Sequence, residues 1–148
     1  MGSISGGSAM QAHLAGIAKR IQDAGILRVG FLEGATYPDG TSVPEVAAKN
    51  EYGAKGVPMR PYFRTMIKNK KANWAVSIGQ VLANNNYDID KTWQLMGDGI
   101  RGQLQQSIRD WTTPPNSQET IDRKGFNKPL IDTGHMLNSV DYDYGKKE

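Results

Sequence analysis

Apolar residues recur at Trp93, Met96, Ile100, Leu104, Ile108 and Trp111, at spacings of 3, 4, 4, 4 and 3. Steps of three and four return to one side of a helix of 3.6 residues per turn, so this stretch reads as a long amphipathic helix with one buried stripe. Upstream, Phe63, Ile67, Trp74, Ile78 and Leu82 mark a second helical face, opened by Arg60 and Pro61 and running to about residue 83. Asn84, Asn85 and Asn86 break it, and Asp88 or Asp90 can cap the helix that follows. Two long helices joined by a short polar loop fold back antiparallel, which makes a helical hairpin the main constraint on the fold. Gly97, Gly99 and Gly102 lie inside the second helix. Each costs about 1 kcal/mol relative to alanine, so packing has to offset them. Close approach to the preceding helix, or a kink, is the expected reason.

The rest of the chain supplies a small sheet and arms. Residues 8–24 carry Met10, Leu14, Ile17 and Ile21 on one helical face, stopped at Gly25, with His13 read as a surface residue. Residues 26–33 alternate as a strand, Leu27, Val29 and Phe31 against Arg28 and Gly30. Residues 34–41 form a loop turned by Pro38, Asp39 and Gly40. Residues 139–144 alternate again, Val140, Tyr142 and Tyr144 against Asp141 and Asp143. The two strands are expected side by side, since each alone would leave an unpaired edge. The predicted class is therefore α+β: a small, mostly antiparallel sheet packed against a long antiparallel helical hairpin, with extended arms. At 148 residues one domain, 1–148, is expected. Within it, 1–8 is a flexible N-terminus and 112–129 an extended arm with one short helical turn near 117–123. Prolines 114, 115 and 129 interrupt regular hydrogen bonding in that arm, and Ile121 and Phe126 are its candidate anchors.

Residues 43–64, VPEVAAKNEYGAKGVPMRPYFR, join a short helix to the first long one. Ser42 and Glu45 make a capping box with Pro44 in the first turn. Gly53 is a left-handed stop, Pro58 stiffens the linker, and Pro61 opens the long helix. Arg60, Arg64, Glu51, Tyr52, Tyr62 and Phe63 meet at this joint. Two readings stay open: an internal Glu51–arginine contact with the aromatics filling the gap to the sheet, or an intersubunit pair with the aromatics as anchors.

The pattern V-A-x-x-N-E-Y-G, a short linker and P-x-R-P-Y-F-R resembles the tailed-bacteriophage neck family, the tail-completion, head–tail joining and virion-morphogenesis proteins of siphophages and myophages. The segment from Lys128 to Val140, KPLIDTGHMLNSV, resembles that family's segment built on L-I-D-T-G, here with Asp132, Thr133 and Gly134 as a turn. Between the two, Pro114, Pro115, Asn116 and Ser117, with Thr120, Ile121, Lys124 and Gly125, resemble its proline-led connector. The resemblance implies an α+β structural protein of the virion, made in the host cytoplasm and placed in the neck between head and tail. It implies a subunit that closes with copies of itself into a ring, commonly six-fold, against neighbouring neck or tail proteins. DNA would pass through the ring without being specifically bound. No cofactor, membrane or small-molecule substrate is implied. On this reading Glu51, Tyr52, Arg60, Tyr62, Arg64, Ile121 and Phe126 are the candidate interface residues.

The residues themselves give little to an enzyme. There is no cysteine, hence no thiol nucleophile or thiolate metal site. Gly97, Gly99 and Gly102 spell G-x-G-x-x-G, but inside an amphipathic helix rather than after a strand. Asp132, His135, Asp141 and Asp143 are a conceivable oxygen–nitrogen ligand set. Turn formation explains Asp132, and the wet face of an edge strand explains Asp141 and Asp143. The chain is therefore expected to have no catalytic, cofactor or metal residues. A net charge of +3 is too small to argue nucleic-acid binding by itself. A basic cluster at Lys68, Lys70 and Lys71, with Arg60 and Arg64, nonetheless keeps open a second reading, a small basic nucleic-acid-binding module.

Overall fold

The computed structural model describes residues 6–132 and 134–146. In chain order the elements are α1 (Gly7–Gln22), β1 (Ile26–Phe31), α2 (Val43–Tyr52), α3 (Tyr62–Asn84), α4 (Ile89–Asp110), α5 (Gln118–Lys124), α6 (His135–Asn138) and β2 (Val140–Gly145). The class is α+β, as the sequence patterns require. α3 and α4 form the antiparallel hairpin, and β1 and β2 form a two-stranded antiparallel sheet. Asp88 caps α4, its carboxylate accepting the Lys91 N–H at 3.0 Å. Ser42 caps α2 by accepting the Glu45 N–H at 3.3 Å, while the Glu45 carboxylate pairs with Lys49 at 2.8 Å.

The register sets Leu27 opposite Tyr144, Val29 opposite Tyr142 and Phe31 opposite Val140. These side chains share the face toward α4; Arg28 and Asp143 lie on the other face, paired at 2.7 Å. The hairpin meets the sheet along α4, whereas α3 packs on α4 and reaches the sheet at its first turn. There the Tyr62 and Phe63 rings stand edge-on to Phe31, centroids 6.4 and 6.3 Å away.

The core sits at one end of the hairpin. Val43 and Ala47 of α2, Tyr62 and Met66 of α3 and Leu104 and Ile108 of α4 close over Leu130, Met136 and Val140. It is the end at which α2, the arm and α6 converge. Toward the loop at residues 85–88, α4 buries Thr92, Met96 and Gly97, while the second half of α3 is at most half-buried.

Three expectations are corrected. The stripe on α1 does not enter a core: Ile17 is buried, but Met10, Leu14 and Ile21 are 58%, 55% and 49% exposed. Helical spacing records that a face is apolar and not what covers it. Second, the glycines of α4 do not admit α3. A Cβ on Gly97 would stand 2.3 Å from Cδ2 of Tyr142, so this glycine admits a ring from β2. A Cβ on Gly99 or Gly102 would meet nothing within 4 Å, and the two floor an open groove between α3 and α4. Third, Gly7, expected in a flexible terminus, belongs to α1 together with Ser8, at which the sequence pattern starts the helix, while residues 1–5 lie outside the described residues. Gly25, between α1 and β1, is required twice over. Its φ is +70°, and a Cβ there would fall 1.8 Å from the Gly145 carbonyl oxygen.

Candidate functional site

The joint between α2 and α3 is built around Glu51. This side chain is 5% exposed, in the last turn of α2. Its carboxylate accepts the backbone N–H groups of Phe63 at 2.9 Å and Arg64 at 3.1 Å, and the Arg64 Nε–H at 2.7 Å. The N-cap of α3 is Pro61, which has no side chain to offer, so the carboxylate of the preceding helix takes over the capping. A negative charge at that end also complements the helix dipole. Arg64 donates a second bond, from Nη2 to the Glu51 carbonyl at 3.1 Å, and lies over the Tyr52 ring, 4.8 Å from its centroid. The connecting loop turns tightly, Ala54 and Val57 exchanging backbone hydrogen bonds at 3.0 and 2.9 Å. Pro58 follows that turn. Gly53 does stop α2 with φ of +78°, but its ψ of 157° is not the left-handed helical stop expected.

Arg60 and Tyr62 are corrected as interface residues. Arg60 is 5% exposed and donates from Nε to the Pro114 carbonyl at 2.9 Å and from Nη2 to the Pro115 carbonyl at 3.3 Å. Burial lowers its pKa from the ordinary arginine value. Tyr62 is 1% exposed, and its hydroxyl donates to the Ala47 carbonyl at 3.1 Å. Desolvation first, then the Glu51 charge, raises the Tyr62 pKa well above the usual tyrosine range. Glu51 is likewise internal, so all three are buried and bonded within the chain. Of the two readings left open by the sequence, the internal Glu51–arginine contact is the one found, through Arg64, with Tyr62 and Phe63 against Phe31 of the sheet. The burial of Arg60 had no local signal, because an arginine at a loop is most often a surface residue.

The arm is also anchored more firmly than expected. Proline carbonyls accept hydrogen bonds although proline nitrogens cannot donate, and Arg60 uses that remaining capacity. Ser117 caps α5, in place of the single turn expected at 117–123, by accepting the Thr120 N–H at 3.3 Å. Arg123 pairs with Asp132 at 3.1 Å, and Lys124 Nζ donates to the Lys128 carbonyl at 2.7 Å. Ile121 is half-buried; Phe126 is 39% exposed beneath Lys124, whose Nζ lies 5.1 Å from the ring centroid. We expect Arg60→Ala to free this arm. Losing two charge-assisted bonds, each about 1.5 kcal/mol or more, should speed tryptic cleavage after Arg123 or Lys124 at least tenfold. An unchanged cleavage rate would mean that the two carbonyl contacts do not hold it.

What the joint presents outward is smaller than the sequence suggested. Tyr52 is 66% exposed, Met59 54%, and the Arg64 side chain half-exposed. Beside them opens an apolar cleft of about 310 Å³ between α2 and α3, lined by Phe31, Pro44, Ala48, Tyr52, Phe63 and Ile67. Met59 escaped the sequence reading. Its signal was position: in an extended stretch, a residue next to an inward Arg60 points out.

The remaining candidates are scattered. Gly134 has φ of +83°, as a turn requires, and Thr133 lies outside the described residues. Asp132 pairs with Arg123, Asp143 with Arg28, and Asp141 lies 3.6 Å from Arg101. Among the described residues no three His, Cys, Asp or Glu side chains group as metal ligands would. His135 packs against the Tyr37 ring, centroids 5.7 Å apart. No helix among the described residues is long and apolar enough to cross a membrane. Compared with known proteins, the chain matches no protein-family model, no curated protein and no solved structure.

Proposed function

We propose that this chain is a structural subunit of a tailed-phage neck, a head–tail connector or tail-completion protein that closes with copies of itself into a six-fold ring. The observation that supports this reading is the convergence of the three stretches that resemble the neck family. They are separated in sequence, yet the joint, the connector and the L-I-D-T-G segment pack on one another. Val43, Ala47, Tyr62 and Met66 share a core with Leu130, Met136 and Val140, and Arg60 ties the joint to Pro114 and Pro115. The stretches thus form one structural unit, and Tyr52, Met59 and the apolar cleft lie on its surface. Exposed apolar area of this kind, together with Met10, Leu14 and Ile21 on α1, suits a subunit that buries it on assembly. An aromatic, a methionine and an arginine side by side are also the residue types enriched at protein interfaces.

Negative-stain microscopy and light scattering of the purified protein, alone and with tail tubes, test the reading. Rings are expected. Tyr52→Glu with Met59→Glu should abolish them while leaving the far-ultraviolet circular dichroism unchanged, because both side chains are exposed. A chain that stays monomeric at every concentration and with tail tubes, or a double variant that still forms rings, would overturn it.

A further inference from the structure

We infer that the exposed face of α3 is a contact surface for the sugar–phosphate backbone of duplex DNA, independent of base sequence. The argument starts from where the charge lies. The whole chain has 18 basic and 15 acidic side chains. α3 holds four of the basic ones, Arg64, Lys68, Lys70 and Lys71, and no acid, so the chain outside it carries a net charge of −1. The entire positive excess of the protein is concentrated on one helix.

What distinguishes these cations is their clustering, since Lys19, Arg20, Lys55, Lys91, Arg109 and Lys146 are also exposed and also have no ion pair among the described residues. Elsewhere Arg28, Lys49, Arg101 and Arg123 are neutralised by acids, and Arg60, Lys124 and Lys128 donate to carbonyls. On α3, Arg64 is engaged by Glu51. Lys68, Lys70 and Lys71 are exposed, and among the described residues none of them has an ion pair. Lys70 edges the groove floored by Gly99 and Gly102, with Asp110 among that groove's lining residues. Lys68 and Lys71, three apart, are neighbours on one side of the helix, while Lys70 stands across the turn at the groove edge. The like charges repel through so short a segment, and a polyanion relieves that repulsion.

The rest of the helix face fits the same partner. From Ala72 to Asn84 there is no charged residue. The exposed positions are amides, Asn73, Gln80 and Asn84, small side chains, Ala72, Ala75, Gly79 and Ala83, and Val76. Amides donate to phosphate oxygens, and small side chains let a backbone approach. α3 itself carries no acid, and Asp110 of α4, across the groove from Lys70, is held by the Gln106 amide at 2.9 Å. At about 1.5 Å per residue, the 23 residues of α3 extend for roughly one turn of duplex. An acidic protein surface would be expected to meet apolar anchors here, and Val76 is the single large one exposed on this helix. The contact needs one subunit and does not depend on the ring.

Fluorescence anisotropy of a labelled 30-base-pair duplex, titrated with the full chain, is the test. Three phosphate contacts give a slope of about −2.7 in log K against log salt, or roughly 80-fold weaker binding at 100 mM than at 20 mM salt. Lys68→Glu, Lys70→Glu and Lys71→Glu together should abolish binding at 20 mM with unchanged circular dichroism. A control with the same charge change elsewhere, Lys19→Glu, Arg20→Glu and Lys146→Glu, should bind within about threefold of the parent chain. Equal loss in both variants would reduce the effect to net charge and overturn the assignment. So would failure of the parent chain to bind duplex at 20 mM, and binding to poly-L-glutamate without binding to duplex would point to an acidic protein instead.

Discussion

Glu51→Ala is expected to destabilise the protein by about 3 kcal/mol. The carboxylate accepts three hydrogen bonds from a buried position, two of them from the first N–H groups of α3. Losing a helix cap costs about 1 kcal/mol, and leaving partly buried donors unpaired adds about 1–3 kcal/mol. The orphaned Arg64 adds little, since its side chain is half-exposed and water replaces the lost partner. For a domain of this size the loss lowers Tm by roughly 6–12 °C, measurable by thermal denaturation. Arg64→Ala in contrast should cost less than about 1 kcal/mol. Equal effects of the two substitutions would mean that the ion pair, and not the capping of α3, holds the joint. Glu51→Gln separates the terms further. It keeps one acceptor oxygen but removes the charge, and should fall between the parent chain and the alanine variant.

Gly97→Val is expected to cost about 2 kcal/mol, and its sign is decided by two opposed terms. On propensity alone the change is favourable by a few tenths of a kcal/mol, because glycine is the poorer residue inside a helix. Against that, the new Cβ would lie 2.3 to 2.6 Å from Cδ2, Cε2 and Cγ of Tyr142. Contact with Cγ means that the whole ring has to leave, since rotating its far end does not clear the base. Displacing it breaks its packing on α4 and its contact with Arg101, whose guanidinium lies 5.5 Å from the ring centroid. Overpacking of this kind costs about 1–3 kcal/mol. The double variant Gly97→Val with Tyr142→Ala removes the clash. In that background the valine should be neutral or slightly stabilising, a coupling of about 2 kcal/mol by double-mutant cycle. Additive effects of the two changes would show that the ring does not press on Gly97.

Glu51 and Gly97 mark the boundary between what the sequence by itself determined and what required the tertiary structure. Local periodicity determined the elements: the stripe from Trp93 to Trp111, the break at Asn84 to Asn86, the caps at Ser42 and Asp88, and the pairing of the strands. Each rests on interactions within a few residues or on an alternation that a buried face enforces, so a linear reading contains them. The partner of each side chain rests on contacts between distant positions. Arg60 meets carbonyls more than fifty residues away, Tyr142 lies on Gly97, and the Glu51 carboxylate serves a helix in which it has no place. Residue type misleads there, because burial turns on whether a polar group finds its hydrogen-bond partners. The same holds in reverse for α1, whose spacing promised a core face and whose Met10, Leu14 and Ile21 stand in water. An apolar stripe is a property of the segment; its cover is supplied by whatever the fold, or another molecule, brings against it.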